Sequence, residues 1–464
     1  MSRIYIFILY LVINYLLEKS RCIKYNNVIE VYLGGNYLME EKWNLGTQAV
    51  QGAYRPKNAE ARVLPLYQST TYRYDTCEEL ARVFDLEQDT PMYTRLANPT
   101  TDALEKKICN MEGGVGALAT SSGMAATTLA VLNILKAGDH ILASSTIYGG
   151  SFTLFTTTFK DLGIEVTMFD PDSSKEDIVK LAKPNTKLLF GETIGNPLVN
   201  VLDFEKFSAV AKEIDVPFMV DNTFATPYLC NPFKYGANII IHSTSKYIDG
   251  HASALGGMIV DGGNYNWDNG KFPCLVEPDE SYHGVSYVEK FGSSAYIVKA
   301  RANVMRNMGM TASPFNSYLT NLGSETLHLR MDKHCENALK MAEYLKNHEM
   351  CTWVKYPYLS DNKYYDLAKK YLPKGASGVL TFGVKGGRDA GRKFIDSLKL
   401  VALVTHVSDA RSSVLQPAST THRQLSDDEL ISCGVSPDMI RFSVGIEDVD
   451  DLIADFEQAF NKIK

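Results

Sequence analysis

The feature that most constrains the fold is a regular alternation of short apolar segments with helix-like segments, which begins near Leu104. The helix-like segments carry apolar residues at spacings of three and four, which is typical of helices that cover one face of a sheet. They are Gly123–Leu135, Phe152–Leu162 and Asp203–Ile214. The predicted strands between and beyond them are His140–Ala143, Ile164–Phe169, Thr186–Phe190, Val216–Asp221 and Asn238–His242. This order predicts an α/β fold with a mostly parallel sheet covered on both faces.

The remainder of the chain indicates a second, smaller unit. Residues 261–285 are rich in Gly, Pro, Asn and Asp and are interpreted as a long loop or insertion. We expect a long helix over Pro314–His348 to begin a C-terminal domain, which closes with a helix over Asp448–Ile463.

The first residues differ in character from the rest. Ile4–Leu17 is almost wholly apolar and follows Arg3, but it is shorter than the roughly 20 residues that span a membrane. No small-residue cleavage site follows it. We favour the interpretation that residues 1–38 are upstream sequence translated from a start assigned too early, with Met39 as the native start. A leader peptide and a membrane anchor are the alternatives.

Charge and cysteine usage exclude several classes of protein. The chain has 47 basic and 54 acidic residues, and no basic run is dense enough to neutralise several phosphates of a nucleic acid. Its 8 cysteines are dispersed, without the spacing of a metal site or the density of a disulfide framework. We therefore expect free thiols, a cytoplasmic location, no bound metal and no nucleic-acid partner.

One motif resembles a nucleotide site without its context. Gly114–Ala119 (GVGALA) matches the loose dinucleotide pattern, but it follows the helix-like Ala103–Met111 instead of a strand. A glycine-rich corner between a helix and a strand explains this motif fully.

A second small-residue motif is more informative. Ser122, Gly123 and Met124 open a run rich in Ala and Leu, so their backbone N–H groups would lie at the start of a helix. A helix N-terminus favours an anion, and small residues let a phosphate approach the backbone. An ordinary N-cap at Ser122 is the alternative.

An aspartate and a lysine end neighbouring predicted strands. Asp221 closes the segment VPFMVD, and Lys246 follows the next strand, so both should emerge at the sheet edge where open α/β folds bind ligands. Pyridoxal 5'-phosphate requires an amine for its aldehyde, a carboxylate for its ring nitrogen and a cradle for its phosphate. Taken singly, Lys246 could be a surface lysine and Asp221 a cap of a helix or turn.

Five segments together carry a resemblance to a known family. They are YTRLANPT (93–100), ATSSGMAA (119–126), VDNTFATPYLCNP (220–232), HSTSKYIDGH (242–251) and MIRFSVGIED (439–448). In this order and spacing the chain, from about Trp43 to its end, resembles the Cys/Met-metabolism family of fold-type I pyridoxal-phosphate enzymes. The resemblance implies a mostly parallel seven-stranded sheet flanked by helices and a smaller α+β C-terminal domain. It divides the chain into an extension (1–38), an arm to the neighbouring subunit (39–100), a large domain (101–305, with an insertion near 261–290) and a C-terminal domain (306–464).

The resemblance assigns roles around the cofactor. Lys246 would hold pyridoxal 5'-phosphate as a Schiff base and then move protons, while Asp221 would pair with the ring nitrogen. Tyr148 would stack on the ring and take part in catalysis. The phosphate would be held by Ser122, Gly123, Met124, Ser243 and Ser245.

It also assigns the substrate contacts and the assembly. Arg441 would grip the substrate carboxylate, and Asn196 would contact both that carboxylate and the 3'-oxygen of the cofactor. Tyr93 and Arg95 would reach the phosphate of a neighbouring subunit, so we expect a homo-oligomer, dimer or tetramer, with sites at the interface.

The activity implied is γ-replacement on O-acetyl-L-homoserine by sulfide or methanethiol, which yields homocysteine or methionine and acetate. The segment 270–284 and the sequence that follows it resemble the branch of the family with this activity. Methionine γ-lyase and cystathionine γ-synthase or γ-lyase are alternatives on the same scaffold, although Gly150 stands where methionine γ-lyases usually carry cysteine. An alternative of another class is a catalytically silent, membrane-tethered binding protein.

Two residues depart from the family pattern. Gln416 stands where relatives commonly have histidine, and His406 stands where others have serine or asparagine. For His406 we consider a pH-sensitive contact near the substrate and a satisfied core histidine as alternatives.

Overall fold

The computed structural model describes residues 43–421, 423–424, 426–432 and 434–464. The N-terminal extension of residues 1–38, with Ile4–Leu17 and the three interpretations given for it, lies outside the described residues. Within the described ranges, no helix is both long enough and apolar enough to cross a membrane.

A seven-stranded sheet forms the centre of the larger part of the chain. Its strands are β1 (Gly116–Thr120), β2 (His140–Ser144), β3 (Glu165–Phe169), β4 (Thr186–Glu192), β5 (Phe218–Asp221), β6 (Ile239–His242) and β7 (Gly257–Asp261). The order across the sheet is β1-β7-β6-β5-β4-β2-β3. The strands β6, β5, β4, β2 and β3 pair in parallel, whereas β7 is antiparallel to both β1 and β6. The predicted mostly parallel, seven-stranded sheet is confirmed.

Helices cover both faces of this sheet because its strands alternate apolar side chains toward two separate cores. On one face, Ile141 and Ile241 pack with Leu129 of the helix Gly123–Leu132. On the other face, Ile240 packs in the core that contains Ile108 of the helix Pro99–Glu112. A strand that is buried on both faces carries a nearly continuous apolar run, which is the pattern that predicted these strands.

Two of the three helices predicted in the larger part, Gly123–Leu135 and Asp203–Ile214, lie within three residues of the observed bounds. The observed helices span Leu45–Gln51, Cys77–Phe84, Pro99–Glu112, Gly123–Leu132, Gly149–Thr153, Phe159–Asp161, Lys175–Lys180, Phe204–Glu213, Thr226–Leu229, Pro273–Val276, Tyr287–Phe291, Ala295–Lys299 and Arg306–Met308. Asp203 is the N-cap of the helix Phe204–Glu213, and its carboxylate accepts a hydrogen bond from the Lys206 N–H at 3.2 Å. The predicted helix Phe152–Leu162 contains a π-helical segment, Leu154–Thr158, between two short α-helices.

The presumed insertion is a packed segment and not an open loop. Trp267 and Phe272 are buried, and the Trp267 ring stacks on Tyr296 with 5.2 Å between ring centroids. Its polar composition is explained by tight turns, such as the one in which the Asp279 carboxylate accepts a hydrogen bond from the Ser281 N–H at 2.9 Å.

A second, five-stranded sheet lies in the C-terminal part, as expected for a smaller α+β unit. Its strands are β8 (Cys351–Lys355), β9 (Val379–Val384), β10 (Ala402–Leu403), β11 (Ser413–Leu415) and β12 (Met439–Ser443), in the order β10-β11-β12-β9-β8. The accompanying helices are Pro314–Glu325, Leu327–Asn347, Tyr365–Tyr371, Gly387–Ser397, Asp427–Ser432 and Val449–Phe460.

The single helix predicted over Pro314–His348 is wrong in one respect, because it is divided at Thr326. The Gly323 carbonyl accepts a hydrogen bond from the Arg330 guanidinium at 2.7 Å, and the Thr326 hydroxyl accepts another at 3.2 Å. The Gly323 carbonyl thus bonds to a side chain, whereas in a continuous helix it would accept from the backbone N–H four residues later. The division also brings Gly323 against the backbone carbonyl of Asp249, just beyond Lys246.

Replacing Gly323 by Ala tests this close approach. A Cβ atom at residue 323 would lie 2.1 Å from the Asp249 oxygen, so the backbone would have to shift. We expect a loss of about 1–3 kcal/mol in the free energy of unfolding, measured by urea titration. Gly149→Ala is the control, because a Cβ there meets nothing within 4 Å. Equal stability of the two variants would contradict the close contact.

Candidate active site

The candidate site is built at the carboxyl ends of β4, β5 and β6. These strands run parallel, with Glu192 opposite Asp221 in the pairing of β4 with β5. Parallel strands end at the same edge of a sheet, so the residues that close them are brought together. The expectation that Asp221 and Lys246 emerge at one edge follows from this register.

Asp221 is held at the end of β5 by the turn that follows it. Its carboxylate accepts a hydrogen bond from the Thr223 N–H at 3.0 Å, and the Thr223 hydroxyl accepts one from the Ser243 N–H at 2.8 Å. Burial raises the pKa of the Asp221 carboxyl, because a charged carboxylate loses its hydration there. None of the ion pairs among the described residues includes Asp221, so a cationic partner is lacking on the protein side.

The predicted phosphate cradle forms a compact helix start. The Ser122 hydroxyl accepts a hydrogen bond from the Ala125 N–H at 3.1 Å and so caps the helix Gly123–Leu132. A Cβ atom at Gly123 would lie 2.6 Å from Ser243 Cβ, so only glycine lets these two segments approach. Met124 lies at the same helix start, with its sulfur 4.0 Å from the Ser151 hydroxyl. The structure therefore brings together both halves of the cradle that the sequence placed 120 residues apart.

Ser245, like Ser122, is a member of this group whose hydroxyl is already engaged within the chain. It is buried and accepts a hydrogen bond from the Gly256 N–H at 2.9 Å, while donating to the Gly256 carbonyl at 3.2 Å. The hydroxyl closes the loop that carries Lys246, and its contact with a phosphate stays a prediction.

Lys246 lies in the turn after β6 with its amine in a cationic, partly buried environment. Burial, and to a smaller extent the charge of Arg441, lower the pKa of the Lys246 ammonium to about 8. A lysine with a pKa near neutrality has a substantial fraction of neutral amine, the form that acts as nucleophile and base. The amine contacts His406, whose Nδ1 lies 3.3 Å from Lys246 Nζ.

Arg441 and Asn196 meet across the two sheets of the chain. Arg441 projects from β12, donates to the Asn196 side-chain oxygen at 3.3 Å and to the Thr405 carbonyl at 3.2 Å. Burial lowers the pKa of its guanidinium to about 10, and its Nε is buried without a hydrogen-bond partner among the described residues. A buried guanidinium with a free donor is suited to bind a carboxylate.

Tyr148 is held near Arg441 by the carboxyl group of Glu192, a residue that the sequence analysis did not identify. The Tyr148 N–H donates to Glu192 at 2.7 Å, and the Tyr148 ring is 46% exposed. Burial and then the nearby Asp221 raise the pKa of the Glu192 carboxyl well above its usual range. The position of Glu192 at the end of the strand before Asp221 was the signal that could have revealed it.

A second network missed from the sequence lies on the opposite face of the same strand ends. His242 Nε2 lies 2.7 Å from the Glu112 carboxylate, which also accepts from the Asn222 amide at 3.0 Å. The Asn222 oxygen in turn accepts from the Thr193 hydroxyl at 2.8 Å. All four side chains are fully buried or nearly so, and they tie the ends of β4, β5 and β6 to the helix Pro99–Glu112.

Tyr93 and Arg95 are the predicted residues that lie apart from this cluster. Both are exposed, and the Arg95 guanidinium lies over the Tyr93 ring at 5.3 Å. The segment that carries them bridges to Thr71. Exposure in one chain is compatible with the prediction that these residues serve a neighbouring subunit.

The two departures from the family pattern have different surroundings. Gln416 is buried and donates to the Arg388 carbonyl at 3.1 Å, so it packs against the helix Gly387–Ser397. His406 contacts Lys246, and burial lowers the pKa of its imidazole to about 4. His406 is not a satisfied core histidine, because its Nε2 has no partner among the described residues. The alternative, a pH-sensitive contact near the substrate, stays a prediction.

The dinucleotide-like motif has the position expected for a corner. Residues 114–119 follow the helix Pro99–Glu112 and run into β1, so the motif enters a strand and does not open a helix. This confirms the interpretation as a glycine-rich corner. Within the described residues, no cluster of three or more potential metal ligands is present.

The residues fit pyridoxal phosphate. Asp221 is a partly buried carboxyl without an ion-pair partner among the described residues, and Lys246 is an amine with a depressed pKa. Asp221 ends β5, and Lys246 lies in the turn after the neighbouring strand β6. Gly123 against Ser243 leaves backbone N–H groups at a helix start open to a phosphate. These features are three separate requirements of the cofactor, met at one edge.

Comparisons with known proteins agree with this geometry. A family model described as "Cys/Met metabolism PLP-dependent enzyme" matches residues 46–461. O-acetyl-L-homoserine sulfhydrylase of Leptospira meyeri is 46% identical over 427 residues, covering 90% of this chain and 96% of that protein. Homocysteine synthase of Schizosaccharomyces pombe is 44% identical, covering 86% and 94%.

A solved structure is similar as well. The Campylobacter jejuni protein described as an O-acetylhomoserine (thiol)-lyase superimposes with a TM-score of 0.87 at 37% identity, covering 90% of this chain and all of that one. It carries an N'-pyridoxyl-lysine-5'-monophosphate residue. The chain belongs to the Cys/Met-metabolism family of pyridoxal-phosphate-dependent enzymes.

The buried Glu192 carboxyl generates a prediction about stability and pH. Its pKa in the folded protein is raised above the usual 4.5, so its contribution to stability is present below pH 4.5 and is lost as the pH rises through the folded pKa. Glu192→Gln keeps the acceptor for the Tyr148 N–H and carries no charge. We therefore expect the stability of the Gln variant, relative to the unmodified protein, to increase between pH 5 and pH 8 by about 1–2 kcal/mol.

Urea titrations of both proteins across that range measure this difference. Glu192→Leu is the matched variant, because it also lacks the charge but leaves the Tyr148 N–H without an acceptor, at a cost of about 1–3 kcal/mol. A constant difference between the Gln variant and the unmodified protein at every pH would show that Glu192 is ionised in both states.

Proposed function

We propose that the chain catalyses γ-replacement on O-acetyl-L-homoserine, in which sulfide or a small thiol displaces acetate. The products are acetate and L-homocysteine, or L-methionine when the thiol is methanethiol, and the reaction belongs to methionine biosynthesis. The observation that carries the proposal is the convergence of Lys246, Asp221 and Arg441 at one sheet edge. The names of the relatives, O-acetyl-L-homoserine sulfhydrylase and homocysteine synthase, favour this reaction over the lyase alternatives.

Holding the cofactor would fall to residues of both sequence halves. Lys246 would bind the aldehyde through its amine, and Asp221 would keep the ring nitrogen protonated. The helix start at Ser122, Gly123 and Met124, together with Ser243 and Ser245, would surround the phosphate. The chemistry that pyridoxal phosphate supplies when bound is an electron sink, which makes the hydrogens at Cα and then Cβ of the substrate acidic.

Binding of the substrate would place its carboxylate on Arg441 and Asn196. Arg441 has a buried Nε that lacks a partner among the described residues, and its Asn196 contact is long enough, at 3.3 Å, to be exchanged for a substrate oxygen. The neutral amino acid side chain would then extend with its acetyl ester toward the exposed ring of Tyr148. Carboxylate binding fixes Cα, which is the atom that must lie within reach of the base.

Proton transfer would be the task of Lys246, once the substrate has displaced its amine from the cofactor. A pKa of about 8 leaves both the neutral and the charged amine available near neutral pH, so one group can take a proton and return it. In the overall step the Cγ–O bond breaks, acetate leaves with the bonding electrons, and a Cγ–S bond forms. The thiol proton is returned to the carbon skeleton or to solvent.

We further propose that the arm of residues 39–100 completes the site of a neighbouring subunit in a dimer or tetramer. The exposed Tyr93 and Arg95 are the groups that would reach the phosphate. We also propose a cytoplasmic location, supported by the six free thiols among the described cysteines. The domain limits near residues 100 and 305 are part of the same proposal.

Lys246→Ala tests the reaction. We expect the formation of homocysteine from O-acetyl-L-homoserine and sulfide to fall by about 10³-fold or more, because the base is removed. Homocysteine is measured chromatographically, and the exposed Lys393→Ala serves as the control. Release of 2-oxobutyrate from methionine or cystathionine by the unmodified protein, without synthesis of homocysteine, would contradict the proposal in favour of a lyase.

Mixing two inactive variants tests the shared site. Arg95→Ala lacks the group supplied to the neighbour, and Lys246→Ala lacks the base, so a hybrid dimer regains one site with both residues intact. Co-refolding equal amounts should restore activity to about a quarter of the unmodified level, because half of random dimers are hybrids. Failure of the mixture to exceed the sum of the two variants would place Arg95 and Lys246 in the same subunit's site.

A further inference from the structure

His406 lies within hydrogen-bond distance of the Lys246 amine, and none of the roles described above explains this contact. Its Nδ1 is 3.3 Å from Lys246 Nζ, and it is supplied by the loop between β10 and β11, on the C-terminal sheet. The contact therefore joins a residue of the small sheet to the lysine loop of the large one.

While the Lys246 amine is charged, the chemistry of the two groups fixes which atom donates. A lysine ammonium has only donors, so Nδ1 of the imidazole must be the acceptor. In this tautomer the imidazole proton is on Nε2, which is buried and has no partner among the described residues.

The surroundings of His406 keep it uncharged. Burial lowers the pKa of its imidazole to about 4, and the charges of Lys246 and Arg441 act in the same direction. The carboxylates of Asp409 and Asp249 act in the opposite direction and do not reverse the effect. Across the neutral range the ring is therefore a neutral acceptor beside a titrating amine.

The backbone that carries His406 is itself fixed. Its carbonyl accepts a hydrogen bond from the Ser413 hydroxyl at 3.2 Å, and the Ser408 N–H donates to the Ser443 hydroxyl at 2.7 Å. Ser408 has a φ of 67°, a backbone conformation that the surrounding bonds hold in place. The loop thus presents His406 at a defined position relative to β12.

We propose that His406 is a positioning residue for Lys246, whose neutral imidazole accepts a hydrogen bond from the lysine amine and sets the direction in which its lone pair points. A lysine has four rotatable side-chain bonds, and a single fixed acceptor removes much of that freedom before the amine meets the cofactor or the substrate. The benefit to turnover rests on the proposed function, whereas the contact itself concerns the free amine.

The first measurement is the pH dependence of Lys246 labelling in the cofactor-free protein. Reductive methylation is followed at Lys246 by mass spectrometry in the unmodified protein, His406→Leu and His406→Asn. The imidazole acceptor stabilises the charged form of the amine, and the Leu variant lacks this acceptor. We therefore expect the pH midpoint of labelling to fall by about one unit in His406→Leu, which is a tenfold change in the neutral fraction of the amine. Asn supplies an uncharged oxygen acceptor, and its midpoint should return toward that of the unmodified protein.

The second measurement is the capture of pyridoxal phosphate by the same cofactor-free proteins. The rise of the yellow absorbance is followed well above the labelling midpoint, where every amine is neutral and only its orientation differs. We expect the rate to fall about tenfold in His406→Leu and to be largely rescued in His406→Asn. The control is His283→Asn, at an exposed histidine, which should change neither readout.

The outcomes separate this proposal from the proposed function. An unchanged labelling midpoint in His406→Leu would contradict the proposal and show that His406 only packs. An upward shift of that midpoint would show that His406 is a cation that repels the amine. If the Leu variant fails to fold, His406→Met provides the same test with an unbranched side chain that lacks a strong acceptor. Absence of homocysteine synthesis by the unmodified protein would overturn the proposed function and leave both of these readouts intact.

Discussion

The parallel pairing of β4, β5 and β6 is the constraint on which the site depends. Because these strands share a direction, the residues that close them reach one edge together, and Glu192 faces Asp221 across a single register step. A shift of one residue in this pairing would turn the polar ends of the strands toward the opposite core. The network of Glu112, His242 and Asn222 on the reverse face resists such a shift, since its buried hydrogen bonds form only in the observed register.

Several charged side chains at the carboxyl ends of β4, β5 and β6 have no partner of opposite charge among the described residues. Arg441 is buried and Lys246 is partly buried, and neither forms an ion pair with a carboxylate among the described residues. The charge of Arg441 adds to the effect of burial in lowering the pKa of the Lys246 ammonium. On the acid side, the raised pKa of Glu192 leaves Asp221 as the group that is easier to ionise of the two. In the proposed function, Asp221 would offer a carboxylate to the cationic ring of the cofactor and Arg441 would offer a guanidinium to the carboxylate of the substrate.

Much of this could be predicted from the sequence, for physical reasons that also explain what was missed. Buried parallel strands leave long apolar runs, so the strands ending at Asp221 and His242 were identified within two residues of their observed starts. Glu192 was missed because the predicted strand stopped at Phe190, two residues before it, and because its position opposite Asp221 arises from the pairing of β4 with β5. The division of the helix at Thr326 depends on Arg330 and on the packing of Gly323 against Asp249, contacts that a helical periodicity does not reveal.

The loop that carries Lys246 is held from the C-terminal side as firmly as from its own sheet. Arg330 donates to the Tyr247 carbonyl at 2.7 Å, the Tyr247 hydroxyl accepts from the Gly378 N–H at 2.9 Å, and the Gly250 carbonyl accepts from the Ala410 N–H at 2.9 Å. The loop of Lys246 thus connects two sheets, each of which has its own hydrogen bonds. We infer that loosening of one sheet from the other displaces Lys246 before it breaks a strand, so the proposed activity would be lost before the fold.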